Sequence, residues 1–257
     1  MAAIVVIPAR YDSTRFPGKP LAPLKGKPLI QHVYEGCLGA SLVKDVMVAT
    51  DSEAILENVL SFGGKAVMTS SKHLSGTDRV AEVASQLDYD IIVNVQGDEP
   101  LINPQMIDDV VDLLSDSSAD MGTLTKKIDN PEDIMDPNIV KVVFDKDNFA
   151  LYFSRSPIPY HRELLGSMGF NVVVKEKSLP DGFVMYKHVG IYSYRKEVLL
   201  RLSSMRQTRL EEIERLEQLR ALENGIKIKV KETIFETIGV DTPEDMERVE
   251  EWLNTYL

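Results

Sequence analysis

Three cations follow the first apolar run of the chain: Arg10, Arg15 and Lys19, within IPARYDSTRFPGKPL (residues 7–21). Guanidinium groups bind phosphate oxygens two at a time, and an ammonium is a compact point charge. Side chains of these types can surround a polyanion. Pro17 and Gly18 force a bend that can bring Lys19 back over it. Neither G-x-G-x-x-G nor G-x-x-x-x-G-K-[ST] is present, so any phosphate grip here comes from side chains rather than a glycine-rich backbone. The plain alternative is a solvated basic loop. VQGDEP (95–100) presents Asp98 and Glu99 after a glycine turn. A carboxylate there suits Mg2+, which prefers oxygen donors and keeps waters and phosphate oxygens in its shell; otherwise it caps the next helix. GVDTPED (239–245) puts Asp241 before a helix, as a second carboxylate for the same metal or as a turn and cap. HLSGTDR (73–79) sets Ser75, Gly76, Thr77 and Arg79 at a helix entry, which fits a base or ribose contact, or simply a cap. Arg155, His188, Tyr192, Glu217 and Gln218 are each weak signals alone. A lone strand histidine is ordinarily structural, and Glu217 and Gln218 equally suit a polar helix face.

These cations stand out because the chain is acidic: 257 residues carry a formal net charge of −11. That balance argues against nonspecific nucleic-acid binding and against an acidic membrane surface, both of which select a basic face. The single cysteine, Cys37, excludes an internal disulfide, fits a reducing compartment and reads as a buried thiol. No apolar run reaches the roughly 18–20 residues that span a membrane, and the N-terminus lacks the marks of a signal peptide. The expectation is a cytoplasmic protein with no nucleic-acid partner and no membrane insertion.

The elements that must position these residues alternate along the first half. AIVVIPA (3–9), VMVATD (46–51), KAVM (65–68) and IIVNVQGD (91–98) read as strands. Helices at 28–40, 52–64 and from 76 separate them, which implies βαβ units and a mostly parallel sheet. Ligands of such sheets bind beyond the carboxyl ends of the strands, so residues 8–19 and 96–100 should converge on one cleft. Residues 138–160 read as two extended runs joined by the turn DKDN, and 186–195 as a further strand. Leu210, Ile213, Leu216, Leu219 and Leu222 recur at three-residue steps and predict one helix over 208–225, ended by Gly225. IKIKVKE alternates as a strand, and a helix opened by Thr242 and Pro243 closes the chain. Residues 161–183 show little periodicity.

Taken in order, IPARYDSTRFPGKPL, VATD, HLSGTDR, VQGDEP, YFSRSPIPY, KHVGIYSYR, LEQLRALENG and GVDTPEDMERV resemble the 3-deoxy-D-manno-octulosonate cytidylyltransferases, or CMP-KDO synthetases, from Ile4 to about Val249. Residues 161–182, and QTRLEEIE where a SPLE-type segment is frequent, depart from the family pattern. The resemblance implies a Rossmann-like nucleotidyltransferase α/β sheet with helices on both faces and an inserted β-rich region. It implies one domain over 1–257, in which 1–120 mainly bind CTP, 121–225 mainly serve the sugar and dimerisation, and 226–257 close the fold. The implied reaction moves a cytidylyl group from CTP to the anomeric hydroxyl of an acidic eight-carbon sugar, in a homodimer that uses Mg2+. Its nucleotide residues match Ala9, Arg10, Arg15, Lys19, Ser75, Gly76, Arg79 and Gln96. Its metal carboxylates match Asp98 and Asp241. Its sugar residues match Gln96, Arg155, His188, Tyr192, Glu217 and Gln218. A cytidylyltransferase for a related acidic sugar and a non-catalytic nucleotide sensor are the alternatives.

Overall fold

The apolar run at the N-terminus is the middle of a nine-stranded sheet, in a computed structural model that describes residues 1–12, 16–162 and 182–256. Strand β1 (Ala3–Ala9) is buried at every position. A short hairpin of β2 (Pro23–Leu24) and β3 (Lys27–Pro28) leads into α1 (Leu29–Leu38). Then β4 (Asp45–Thr50), α2 (Glu53–Ser61), β5 (Ala66–Met68), α3 (Gly76–Ser85) and β6 (Ile91–Asn94) alternate as the spacing predicts. Between 101 and 137, where the pattern gave no reading, lie α4 (Pro104–Leu113), β7 (Met121–Lys127) and α5 (Glu132–Met135). Next come β8 (Lys141–Phe144), β9 (Ala150–Ser154) and β10 (Tyr186–Arg195), followed by α6 (Lys196–Ser204), α7 (Arg209–Glu214), α8 (Gln218–Glu223), β11 (Ile228–Glu232) and α9 (Pro243–Tyr256).

The main strand order is β11-β7-β10-β6-β1-β4-β5. Only β10 runs against its neighbours on this path; the remaining pairs are parallel. A β8–β9 hairpin branches from β10. Side chains of β1 alternate between the two faces. Val5 and Ile7 pack with Val33, Ile55 and Val110 of α1, α2 and α4. Ile4 and Val6 pack with Val80, Leu199 and Leu219 of α3, α6 and α8. Cys37 is free and fully buried, and burial pushes its thiol far above the ordinary range, so the inert reading holds. Among the described residues no helix is long and apolar enough to cross a membrane.

The single helix predicted over 208–225 is not formed. Helix α7 stops at Glu214, Arg215 takes the left-handed backbone (φ 55) and α8 starts at Gln218. The reason lies in the three-residue spacing. Each step of three falls about 60° short of a full turn, so five such residues spread around a 3.6-residue helix instead of sharing one face. The break allows Leu216 and Leu219 to reach the core and leaves Ile213 at 65% exposure.

Candidate active site

Two loops meet at the carboxyl ends of β1 and β6, as the sheet topology requires. Gly97 makes this possible, since a Cβ there would stand 2.8 Å from the carbonyl oxygen of Pro8. After β1 the chain passes through Arg10, and Gly18 (φ +70) donates its N–H to the Tyr11 carbonyl at 2.9 Å. A turn of 3-10 helix follows at Lys19–Leu21. The expected bend therefore exists, and it aims Lys19 at the far loop. Its Nζ donates to Asp98 Oδ2 at 2.7 Å, to the Val240 carbonyl at 2.5 Å and to Asp241 Oδ1 at 3.4 Å. The Val240 N–H donates to the Asp98 carbonyl at 2.9 Å, which joins the two carboxylate-bearing segments directly.

The Asp241 carboxylate faces Lys19, and the cap of α9 is made by others. Thr242 Oγ1 accepts from the Asp245 N–H, while Asp245 Oδ2 accepts from the N–H groups of Asp241 and Thr242. The turn-and-cap reading thus describes Thr242 and Asp245. Beside the pair lies Glu99. Burial, then the negative charges of Asp98 and Asp241, push its carboxyl up to about 8, against the pull of Lys19. Its Oε2 is buried without a hydrogen-bond partner. Nη2 of Arg10 is likewise buried and unpartnered. Ala9 is the buried last residue of β1. Arg15, the third cation of the sequence argument, lies outside the described residues.

At the entry of α3, Ser75 Oγ accepts from the Asp78 N–H at 3.0 Å while Asp78 Oδ2 accepts from the Ser75 N–H at 3.1 Å. Ser75 is thus a reciprocal helix cap. Gly76 lets this entry approach β1 and β6: a Cβ would stand 3.3 Å from Pro8 and 3.8 Å from Gln96 Oε1. The Gln96 amide donates to Asn94 at 3.3 Å. Arg79 is fully buried and engaged internally, with Nη2 on Asp51 at 2.5 Å and Nη1 on the Thr69 hydroxyl. It ties the ends of β4 and β5 to α3, while its Nε is buried without a hydrogen-bond partner among the described residues.

The sugar-side candidates form a second cluster. Burial pushes the Glu217 carboxyl up, and Thr77, Arg220 and Ser75 pull against it. The break after α7 is therefore what turns Glu217 toward the entry of α3. Gln218 is buried as the first residue of α8. Behind them Arg220 and Glu211 form a buried pair, with Nε on Oε2 at 2.8 Å. Arg155 holds the break: Nε donates to the Glu214 carbonyl at 2.7 Å, Nη1 to Pro137 at 2.7 Å and Nη2 to Arg215 at 3.4 Å. His188 lies against Phe153 and Tyr192, at ring separations of 5.1 and 5.3 Å. Burial holds its imidazole down at about 3 and raises the Tyr192 phenol well above its usual range. Thr123 Oγ1 lies 2.7 Å from the Ile191 carbonyl, which takes its one hydrogen. The His188 Nε2 at 2.9 Å from the same hydroxyl must then be the donor, which assigns a neutral Nε2–H tautomer. Thr123, Glu211, Arg220 and the Val240 carbonyl escaped the sequence reading. A backbone carbonyl has no sequence signal, and Glu211 and Arg220 lie nine positions apart, outside any helical pairing rule.

Comparison with known proteins agrees over the whole length. The cytidylyltransferase family profile matches residues 4–228. A 3-deoxy-manno-octulosonate cytidylyltransferase of Thermodesulfovibrio yellowstonii is 54% identical over 264 residues, covering 100% of both chains. One from Geotalea daltonii is 55% identical over 254 residues and 98% of both chains. A solved structure of CMP:2-keto-3-deoxy-manno-octonic acid synthetase complexed with CTP shares this fold with a TM-score of 0.89, at 42% identity over 100% of both chains.

Proposed function

The chain belongs to the 3-deoxy-manno-octulosonate cytidylyltransferase family, and from that premise we infer that it transfers a cytidylyl group from CTP to the anomeric hydroxyl of 3-deoxy-D-manno-octulosonate. The products are CMP-KDO and pyrophosphate. The observation that carries the site assignment is the convergence of Lys19, Asp98 and Asp241 where β1 and β6 end.

In this reading the sugar oxygen attacks the α-phosphorus, the new P–O bond forms and the bond to pyrophosphate breaks. Such a reaction asks for positioning and for charge stabilisation. Arg10, whose Nη2 is buried and unpartnered, is set to meet phosphate oxygens. Lys19 neutralises charge that develops as pyrophosphate leaves. Gln96, Glu217 and Gln218 offer polar partners to sugar hydroxyls. Residues Asp98 and Asp241 fit a hard cation, because they already share one cation, the Lys19 ammonium, from two separate segments. Among the described residues no third His, Cys, Asp or Glu completes a metal cluster, which suits Mg2+ with water and phosphate oxygens in its shell. When held there, Mg2+ supplies Lewis-acid polarisation of the phosphate and acidifies the sugar hydroxyl.

The test is pyrophosphate release with CTP or UTP against a panel of acidic sugars, with a Mg2+ titration of wild type, Asp98→Asn and Asp241→Asn. KDO with CTP should be the preferred pair, and both variants should lose nearly all turnover and shift the Mg2+ requirement. Release with a sialic acid instead of KDO sinks the sugar assignment; an unchanged Mg2+ profile sinks the metal assignment. A homodimer in the cytoplasm accords with this reading: Leu151 and Ile213 expose 60% and 65% on the sugar side, and light scattering of the purified protein checks the assembly.

A further inference from the structure

If Asp98 and Asp241 hold a divalent cation, their present partner has to leave. Lys19 sends its ammonium to three oxygens, at 2.7 Å on Asp98, 3.4 Å on Asp241 and 2.5 Å on the Val240 carbonyl. Three acceptors match the three hydrogens an ammonium can donate. The side chain is only 11% exposed, so water does little to screen it. A divalent ion at the same carboxylates would stand within a few ångströms of this charge, and like charges at that range in a partly buried site repel strongly. The two cations cannot share the site.

We propose that in the nucleotide-free protein the Lys19 ammonium occupies the divalent-cation site, and that the triphosphate opens the site by taking that ammonium as its own partner. This rests on the metal reading given above. The backbone needs no rearrangement for the exchange. Lys19 begins a turn fixed by Leu21 N–H on the Gly18 carbonyl at 2.9 Å and Ala22 N–H on the Lys19 carbonyl at 3.0 Å, so the side chain alone can swing. Arg10 differs from Lys19 in this respect: its Nη2 waits without a partner, while every Lys19 hydrogen is taken. Phosphate thus meets one cation that is ready and one that must be exchanged. Divalent binding at the carboxylates becomes coupled to nucleotide binding, and the coupling is reciprocal. The free protein is thereby kept from committing its carboxylates to metal before a nucleotide arrives.

The experiment is Mn2+ binding to the full chain without nucleotide, read by electron paramagnetic resonance. Four proteins are compared: wild type, Lys19→Met, Lys19→Arg and Arg10→Met, each checked for folding by its thermal transition. Lys19→Met keeps the stem but removes the charge, and should bind Mn2+ at least tenfold more tightly than wild type. Lys19→Arg keeps a cation at the site and should stay within threefold of wild type. Arg10→Met removes a charge from the same loop that makes no ion pair with either carboxylate among the described residues, and should also stay within threefold. Adding Asp98→Asn to Lys19→Met should erase the gain. Lys19→Met with no gain, or Lys19→Arg or Arg10→Met with an equal gain, overturns the proposal. If Asp98→Asn and Asp241→Asn still shift the Mg2+ requirement of turnover, the metal reading survives that failure. If the gain of Lys19→Met persists in the Asp98→Asn background, the metal reading itself fails and takes the proposal with it.

Discussion

The loops at the ends of β1 and β6 and the cluster around β10, α7 and α8 treat their polar groups in opposite ways. In the first, charge is concentrated and left incomplete. Arg10 Nη2 and Glu99 Oε2 are buried without partners, and two aspartates face one lysine. In the second, the charged groups and the imidazole are engaged internally, and only the neutral hydroxyls of Thr125 and Thr208 are left buried without partners among the described residues. Arg155 is spent on three carbonyls, Arg220 on Glu211 and the Leu202 carbonyl, and His188 on Thr123. Buried polar groups ordinarily find partners. A region that leaves them wanting is arranged for something that arrives, and a region that completes them is arranged to hold a shape.

The comparison breaks first at Arg220. If the second region is a scaffold, Arg220→Met should strand the buried Glu211 carboxylate and cost about 3–5 kcal/mol of stability, read as a fall in the denaturation midpoint. A folded Arg220→Met protein of normal stability that fails only in sugar KM would make Arg220 a substrate group and erase the contrast. Lys19→Ala should behave the other way. Turnover should fall by the equivalent of about 2–4 kcal/mol, as for other preorganised charge stabilisers. Stability should change little, because the Asp98 and Asp241 side chains are 32% and 49% exposed and water can take the place of the ammonium.

The two regions also differ in how far the sequence revealed them. The loops where β1 and β6 end were legible because their residues sit where periodic strands end. Once AIVVIPA and IIVNVQGD are read as parallel strands, residues 8–19 and 96–100 must converge, and the 2.7 Å contact of Lys19 with Asp98 bears that convergence out. Asp241 reads in the sequence either as a second carboxylate for the same metal or as a turn and cap, and the fold places it beside Asp98, through the Val240 N–H on the Asp98 carbonyl and through Lys19. The cluster around β10, α7 and α8 was misread at its key element, the supposed helix 208–225. Local apolar spacing cannot show that Arg155, from another strand, holds the carbonyls exposed by a break. Elements α4 and β7 were not found at all. MGTLTKK has few apolar residues, yet Thr123 and Thr125 are fully buried in the sheet.

A smaller effect sharpens the same contrast through pH. The imidazole of His188 is held at about 3 by burial, against an ordinary value of 6.5. The unfolded chain therefore binds more protons between those values, and stability falls as the pH drops from about 6.5 toward 3. Each tenfold change in proton affinity corresponds to roughly 1.4 kcal/mol, so a contribution of a few kcal/mol should disappear over that window. His188→Gln keeps a group able to donate to Thr123 and should flatten the acid limb by that amount, measured as denaturation midpoints from pH 7 to pH 4. An unchanged acid limb would mean that the ring is already solvated, as in a site open to substrate.

Ser75 stands on the border between the two regions and gives the smallest and most discriminating effect. Its hydroxyl accepts from the Asp78 N–H, which is the saturated behaviour of a cap, and it also lowers the Glu217 carboxyl it reaches. The family resemblance assigns the same residue to the nucleotide. Ser75→Ala removes the cap and should cost about 1 kcal/mol of stability, whereas Ser75→Asn retains an acceptor of equal capping strength and should restore it. If Ser75 acts only as a cap, CTP KM should follow stability and return to normal in Ser75→Asn. If it touches the nucleotide, the larger amide should restore the melting temperature but leave KM raised severalfold. Measuring both quantities in both variants assigns Ser75 to one region or the other, because the scaffold role and the substrate role predict the same stability and different KM values.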